Sequence, residues 1–186
     1  MSTWLITIFN KPKMENAVKA VKKLCENHNL NEERKNVIIS GFRKNKSADV
    51  SEDGEWDLLL SDEETGLEFS IPYGGIQDSD KDPEHKERLE RYIKDVKLLC
   101  EILEPESAKG NLEAELNDDK IPVHYITYFN KEKAGEYNNL EDVPALSVEN
   151  LKHGVFIVLY KLVGTFGSEK LKIMEEVNNF LEKNKK

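Results

Sequence analysis

The seven residues Val123-His124-Tyr125-Ile126-Thr127-Tyr128-Phe129 constrain the fold more than any other stretch of this chain. Most are β-branched or aromatic, and they stand between Pro122 and the polar run Asn130-Lys131-Glu132-Lys133, the pattern of a strand with breaks at both ends. By alternation Val123, Tyr125, Thr127 and Phe129 share one face, while His124, Ile126 and Tyr128 share the other, so neither face is polar. Such a strand is covered on both sides and belongs inside its sheet.

Other elements group around it. Trp4 to Phe9 reads as a strand that enters a helix near Pro12, with Met14, Ala17, Val18, Val21, Leu24 and Cys25 on one stripe and the polar run Asn27 to Asn36 closing it. Val37-Ile38-Ile39-Ser40-Gly41-Phe42 reads as a second strand. A hairpin follows, Trp56, Leu58 and Leu60 facing the core on one arm and Leu67, Phe69 and Ile71 on the other, with Gly66 placed for a positive φ in the turn. Asp82-Pro83 opens a long amphipathic helix with Leu89, Tyr92, Ile93, Val96, Leu99, Cys100 and Leu103 on its buried stripe, and Pro105 ends it. Glu106 to Lys120 is weakly patterned, with a short extra strand or turn around Leu112 and Leu116. Gly154 to Tyr160 is a further apolar strand. Ser168 caps a last helix bearing Leu171, Met174, Val177, Phe180 and Leu181, ahead of a lysine-rich tail expected to be disordered. Six strands and three amphipathic helices in irregular alternation predict a single α+β domain over residues 1–186, its sheet mixed but mostly antiparallel.

One internal echo stands out: Ile6-Thr7-Ile8-Phe9-Asn10-Lys11 nearly matches Ile126-Thr127-Tyr128-Phe129-Asn130-Lys131. A duplication should align the flanks as well, and the helix after Lys11 has no counterpart in sequence after Lys131.

With 186 residues, 38% hydrophobic and 34% charged, the chain is long enough to bury a core without a metal or a disulfide. A net charge of -9 and a pI near 5.1 argue against nucleic acid or an anionic membrane as partner and favour a basic protein. Cys25 and Cys100 fall on apolar helix stripes and read as buried hydrophobes in a reducing compartment. The apolar run Trp4 to Phe9 lacks a basic lead and a cleavage site, and no apolar stretch approaches the ~20 residues of a membrane helix, so a cytoplasmic protein is expected.

Motif chemistry is sparse. His28, His85, His124 and His153 are isolated in sequence; His28 and His85 are expected at helix surfaces or ends, and His124 reads as a hydrogen-bonded structural histidine before a zinc ligand. Asp78-Ser79-Asp80-Lys81-Asp82 begins like a calcium loop but continues with Pro83 and Leu89 where glycine and glutamate are needed. Gly74-Gly75 fits a tight turn, and neither a phosphate-loop nor a nucleophile-elbow motif occurs. No cofactor and no metal is expected.

The most one-sided segment is Ser47 to Asp80, which holds eleven acids and no Lys or Arg. Beside the bland reading of a solvated face, it offers a docking surface for a basic protein, with Glu52, Asp53, Glu55, Asp57, Asp62, Glu63 and Glu64 as candidate partner-binding residues.

Several segments, taken in order, carry a resemblance: Leu98-Leu99-Cys100-Glu101-Ile102-Leu103-Glu104-Pro105-Glu106, Tyr125 to Phe129, the Val143-Pro144 loop, and Gly154-Val155-Phe156-Ile157. Their layout resembles a family of predicted immunity proteins from bacterial polymorphic toxin systems, mainly over the C-terminal half. The resemblance implies a small cytosolic α+β protein that binds a cognate toxin, often a nuclease, and blocks it without catalysing anything. The long acidic hairpin has no match in that pattern. Two other readings stand beside this one: a small enzyme or ligand-binding protein with a pocket near Gly74-Gly75 or His124, and a housekeeping interaction domain.

Overall fold

In the computed structural model, which describes residues 3–51, 57–60, 66–73, 83–112, 123–161 and 167–186, the chain builds one α+β domain around an eight-stranded antiparallel sheet. The strands are β1 (Thr3–Asn10), β2 (Ser47–Asp49), β3 (Asp57–Leu60), β4 (Gly66–Tyr73), β5 (Ser107–Leu112), β6 (Ile126–Asn130), β7 (Ser147–Leu151) and β8 (Gly154–Val158). They lie in the order β2-β3-β4-β1-β5-β6-β8-β7. Five helices accompany them among the described residues: α1 (Ala17–Asn27), α2 (Glu32–Asn45), α3 (Pro83–Leu103), the single turn α4 (Lys131–Ala134) and α5 (Gly167–Asn184).

The α+β class holds, while the inventory of strands differs from expectation in two ways. First, Val37 to Phe42 is not a strand. It lies inside α2, where Asn31 caps the N-terminus by accepting a 2.9 Å hydrogen bond from the Arg34 N–H, and Lys46 closes the other end at φ 60°. Glu32 and Glu33 in its first turn and Arg43 and Lys44 in its last complement the helix dipole. Those end signals, with Phe42 buried and Ile38 and Ile39 half-buried, outweigh the β-branched run. Second, β2, β5 and β7 join the sheet although their sequences are short or polar, because neighbouring strands supply the pairing. Every pairing is antiparallel, so the sheet is not mixed. Gly66 opens β4 opposite Asn10, a ladder position and not a turn.

Register assigns the faces, since directly opposed residues of antiparallel strands point the same way. Leu5, Thr7 and Phe9 of β1 share a face with Ile71, Phe69 and Leu67 of β4, and all six are buried. α3 covers that face: the Tyr92 hydroxyl donates to Phe69 O (3.0 Å) and shares a 2.8 Å hydrogen bond with Thr7 Oγ1, while its ring stacks on Phe69. Burial pushes the Tyr92 phenol well above its ordinary range, so it stays a neutral donor. α1 packs between α2 and α3. The organising stretch is buried from Val123 to Phe129, as expected of a strand covered twice, although only Ile126 onward joins the ladder.

The echoing hexapeptides fall in β1 and β6, which flank β5 and run in the same direction. Thr7 and Ile126 both oppose Gly110, so Thr7 and Thr127 face opposite sides of the sheet. Their partners match nonetheless: Asn10↔Gly66, Phe9↔Leu67 and Thr7↔Phe69 in one half correspond to Asn130↔Gly154, Phe129↔Val155 and Thr127↔Ile157 in the other. The closing helices end alike as well, Lys13 N–H donating to Leu103 O (2.7 Å) and Asn138 N–H to Asn184 O (2.8 Å). A half-turn about an axis along β5 thus relates the unit β1, β4, α3 to the unit β6, β8, α5. The second unit carries its cover on the other face, where Tyr137 stacks on Phe129 and bridges to Lys185. The flanks fail to align in sequence because α1, α2 and β2 stand in the first half where the second has the single turn α4, capped by Asn130, and a 3-10 turn at Leu140–Asp142. At the C-terminus, where a disordered tail is expected, Lys186 N–H bonds Glu136 O (2.8 Å) and its ammonium bonds Gly135 O (2.8 Å).

Candidate functional site

Of the acids predicted to bind a partner, Glu52, Asp53, Glu55, Asp62, Glu63 and Glu64 lie outside the described residues; Asp57 is described only as the first residue of β3, opposite Asp49 and Ser70. The strand between them is short. Chain segments carrying the first three acids are tethered at the Asp49/Asp57 end of β3, and those carrying the last three at the Leu60/Gly66 end, three strand steps or about 10 Å away. Both tethers belong to the same margin of the sheet, capped by the edge strand β2. Trp56, Gly74-Gly75, the Asp78 to Asp82 run and the His85 side chain also fall outside the described residues.

Beside β2 lies a basic surface that net charge concealed. Residues 1–46 hold ten Lys or Arg against four Glu, although the whole chain is at -9. Most of these cations ride on the α1–α2 hairpin, and α2 packs on β2. Lys19, Lys22, Arg43, Lys44 and Lys46 are exposed and make no ion pair among the described residues, whereas Lys23 pairs with Glu26 (2.6 Å) and Lys35 with Glu32. Counting charge by segment would have exposed this asymmetry from sequence.

At the end of the sheet where β1 and β6 finish, charges are matched. Lys11 meets Glu106 at 2.5 Å, Lys13 meets Glu104 at 2.5 Å, Lys133 approaches Glu106 at 3.7 Å and His153 Nδ1 approaches Glu104 at 3.7 Å. The Lys11 hydrogen bond holds the Glu106 carboxyl below the ordinary glutamate range, and the Lys13 hydrogen bond does the same for Glu104. These groups fasten the loop after β1 to the loop before β5.

Some buried polar groups hold elements together. His28 stands at the end of α1, one of the two places expected, and is buried there: its Nε2 lies 2.8 Å from Asp95 Oδ2, and Asn27 Nδ2 donates to Asp95 Oδ1 at 3.0 Å, locking the end of α1 to the middle of α3. His124 is buried, its main-chain N–H donating to Thr127 Oγ1 (3.1 Å) and its main-chain carbonyl accepting from that hydroxyl (3.0 Å). Both cysteines are buried, and burial pushes the Cys25 thiol up to about 11 and the Cys100 thiol up as well, away from thiolate chemistry. Among the described residues no group of three or more His, Cys, Asp or Glu is placed to hold a metal ion, and no helix is long and apolar enough to cross a membrane.

These elements define a class: a one-domain α+β protein whose antiparallel sheet carries a basic helical hairpin against its β2 edge. Among solved structures the fold is similar to the Pseudomonas aeruginosa T6SS protein PA0821, at 7% identity and a TM-score of 0.54, over 99% of this chain and 76% of that one. Comparison by sequence finds no matching family model and no matching curated protein.

Proposed function

We propose that this chain is a non-enzymatic binding protein of the immunity type, which neutralises a basic, nuclease-like toxin by covering its charged surface with Glu52, Asp53, Glu55, Asp57, Asp62, Glu63 and Glu64. The observation that carries the reading is the likeness of fold to a T6SS protein over almost the whole chain, which joins the sequence resemblance to toxin-immunity proteins. Support also comes from the charge layout. A basic partner is attracted to the β2–β3–β4 margin and repelled from the neighbouring α1–α2 hairpin, so repulsion helps to fix where it docks. A surface built to hold phosphates is cationic, which suits an acidic inhibitor.

The test starts from the native host. Proteins that co-elute with the chain at low salt and are lost at high salt are identified, and binding is then measured for the triple variant Glu52→Lys, Asp53→Lys, Glu55→Lys. We expect affinity for the co-eluting basic protein to fall at least tenfold and its salt dependence to flatten, with an unchanged circular dichroism spectrum. Unaltered binding by the triple variant would remove the acidic margin from the interface.

A further inference from the structure

The internal half-turn makes one asymmetry informative. Val148 of β7 occupies the place in the second half that Leu58 of β3 occupies in the first, because Val148 opposes Ile157 as Leu58 opposes Phe69. In the first half Leu58 has a further neighbour, Ala48 of β2. In the second half no strand stands beyond β7 among the described residues.

The missing neighbour leaves main-chain groups open. Lys131 N–H bonds His153 O (3.0 Å), so odd-numbered residues along β8 turn their peptide groups toward β6 and even-numbered ones toward β7; past the end of β8 Leu159 departs from this, its N–H donating to Tyr125 O and its carbonyl accepting from Leu146 N–H, both at 3.0 Å. Across the β7–β8 register, Ser147, Glu149 and Leu151 therefore bond β8, and Val148 and Asn150 aim N–H and C=O away from the sheet. Neither outward pair has a partner among the described residues. β7 has no proline or lysine, its one charged guard being Glu149, and Leu146 just before it is 53% exposed.

We propose that β7 is the interface of a homodimer in which two copies join edge to edge about a two-fold axis, with Val148 opposite Val148. Charge and apolar surface select that register. Centring the pair on Glu149 would set two carboxylates directly opposite each other, which is destabilising. Centring it on Asn150 leaves Leu146 uncovered. With Val148 at the centre, Leu146 lies opposite the second copy's Asn150 and Ser147 opposite its Glu149, while Glu149 keeps its ion pair with Lys97. Both copies present the same patch, so the contact closes at two subunits. A contact this short gives a weak, rapidly exchanging dimer.

Sedimentation velocity from about 5 to 500 µM chain tests this, because a weak dimer populates within that range. The average mass is expected to climb from 21.4 kDa toward twice that value, and deuterium exchange at the Val148 and Asn150 amides to slow as concentration rises. Asn150→Pro removes an outward N–H without touching a β7–β8 bond, so it should weaken association at least tenfold while circular dichroism stays unchanged. Leu146→Lys should do the same without any main-chain change. A parent chain that stays at 21.4 kDa throughout overturns the proposal, as does undiminished dimerisation of both variants.

Discussion

Gly154→Ala is expected to lower stability by about 3 kcal/mol, a fall of roughly 6–12 °C in the midpoint of thermal unfolding for a chain of this size. Gly154 opens β8 opposite Asn130. A methyl group there would run into the main-chain oxygen of Phe129 and come within 2.7 Å of the Tyr128 hydroxyl oxygen and 2.8 Å of its ring. A backbone carbonyl in a ladder cannot move aside, so relief requires β8 to part from β6 or the Tyr128 ring to leave its buried place over the glycine. The ring fills the space a side chain at 154 would take, and its buried hydroxyl has no hydrogen-bond partner among the described residues. The control is Gly41→Ala in α2, where the added carbon meets nothing within 4 Å. In a helix interior that change is expected to stabilise by about 0.5–1 kcal/mol. Equal unfolding temperatures for both variants and the parent would show that the contact at Gly154 does not limit the fold.

Asp95→Ala should cost about 2 kcal/mol, because it takes the carboxylate away from the buried His28 ring as well as from the Asn27 amide. The Asp95 side chain is 1% exposed and that of His28 3%, and the carboxylate receives both the His28 ring nitrogen and the Asn27 amide. The informative measurement is a double-mutant cycle by urea unfolding. Removing His28 as well takes away the other side of the same contact, so the double variant is expected to fall short of the sum of the singles by at least 1 kcal/mol. Strict additivity would mean that α1 and α3 are joined by packing alone. Because the pair lies within the helical layer, far from the acidic margin in sequence, binding by folded Asp95→Ala protein should match the parent.

The sequence determined by itself whatever rests on local chemistry. β1, β4, β6, β8, α1, α3 and α5 were legible because apolar periodicity and end signals agreed, as at Pro83 and at the stripe through Tyr92, Val96 and Leu99. The acidic run was legible too, since charge needs no fold to be counted. Tertiary structure decided the rest. Val37 to Phe42 has the composition of a strand, yet capping by Asn31 and burial of Phe42 against the layer make it helix. β5 and β7 carry little signal of their own; they are strands because β1, β6 and β8 offer them ladders, and an interior place such as that of Gly110 can reward a residue with no strand propensity. The echo of Ile6 to Lys11 in Ile126 to Lys131 became a half-turn only once register showed Thr7 and Thr127 on opposite faces. Periodicity and charge act between neighbours along the chain, whereas pairing, burial and the unfilled edge of β7 depend on residues far apart in sequence, whose meeting no local pattern encodes.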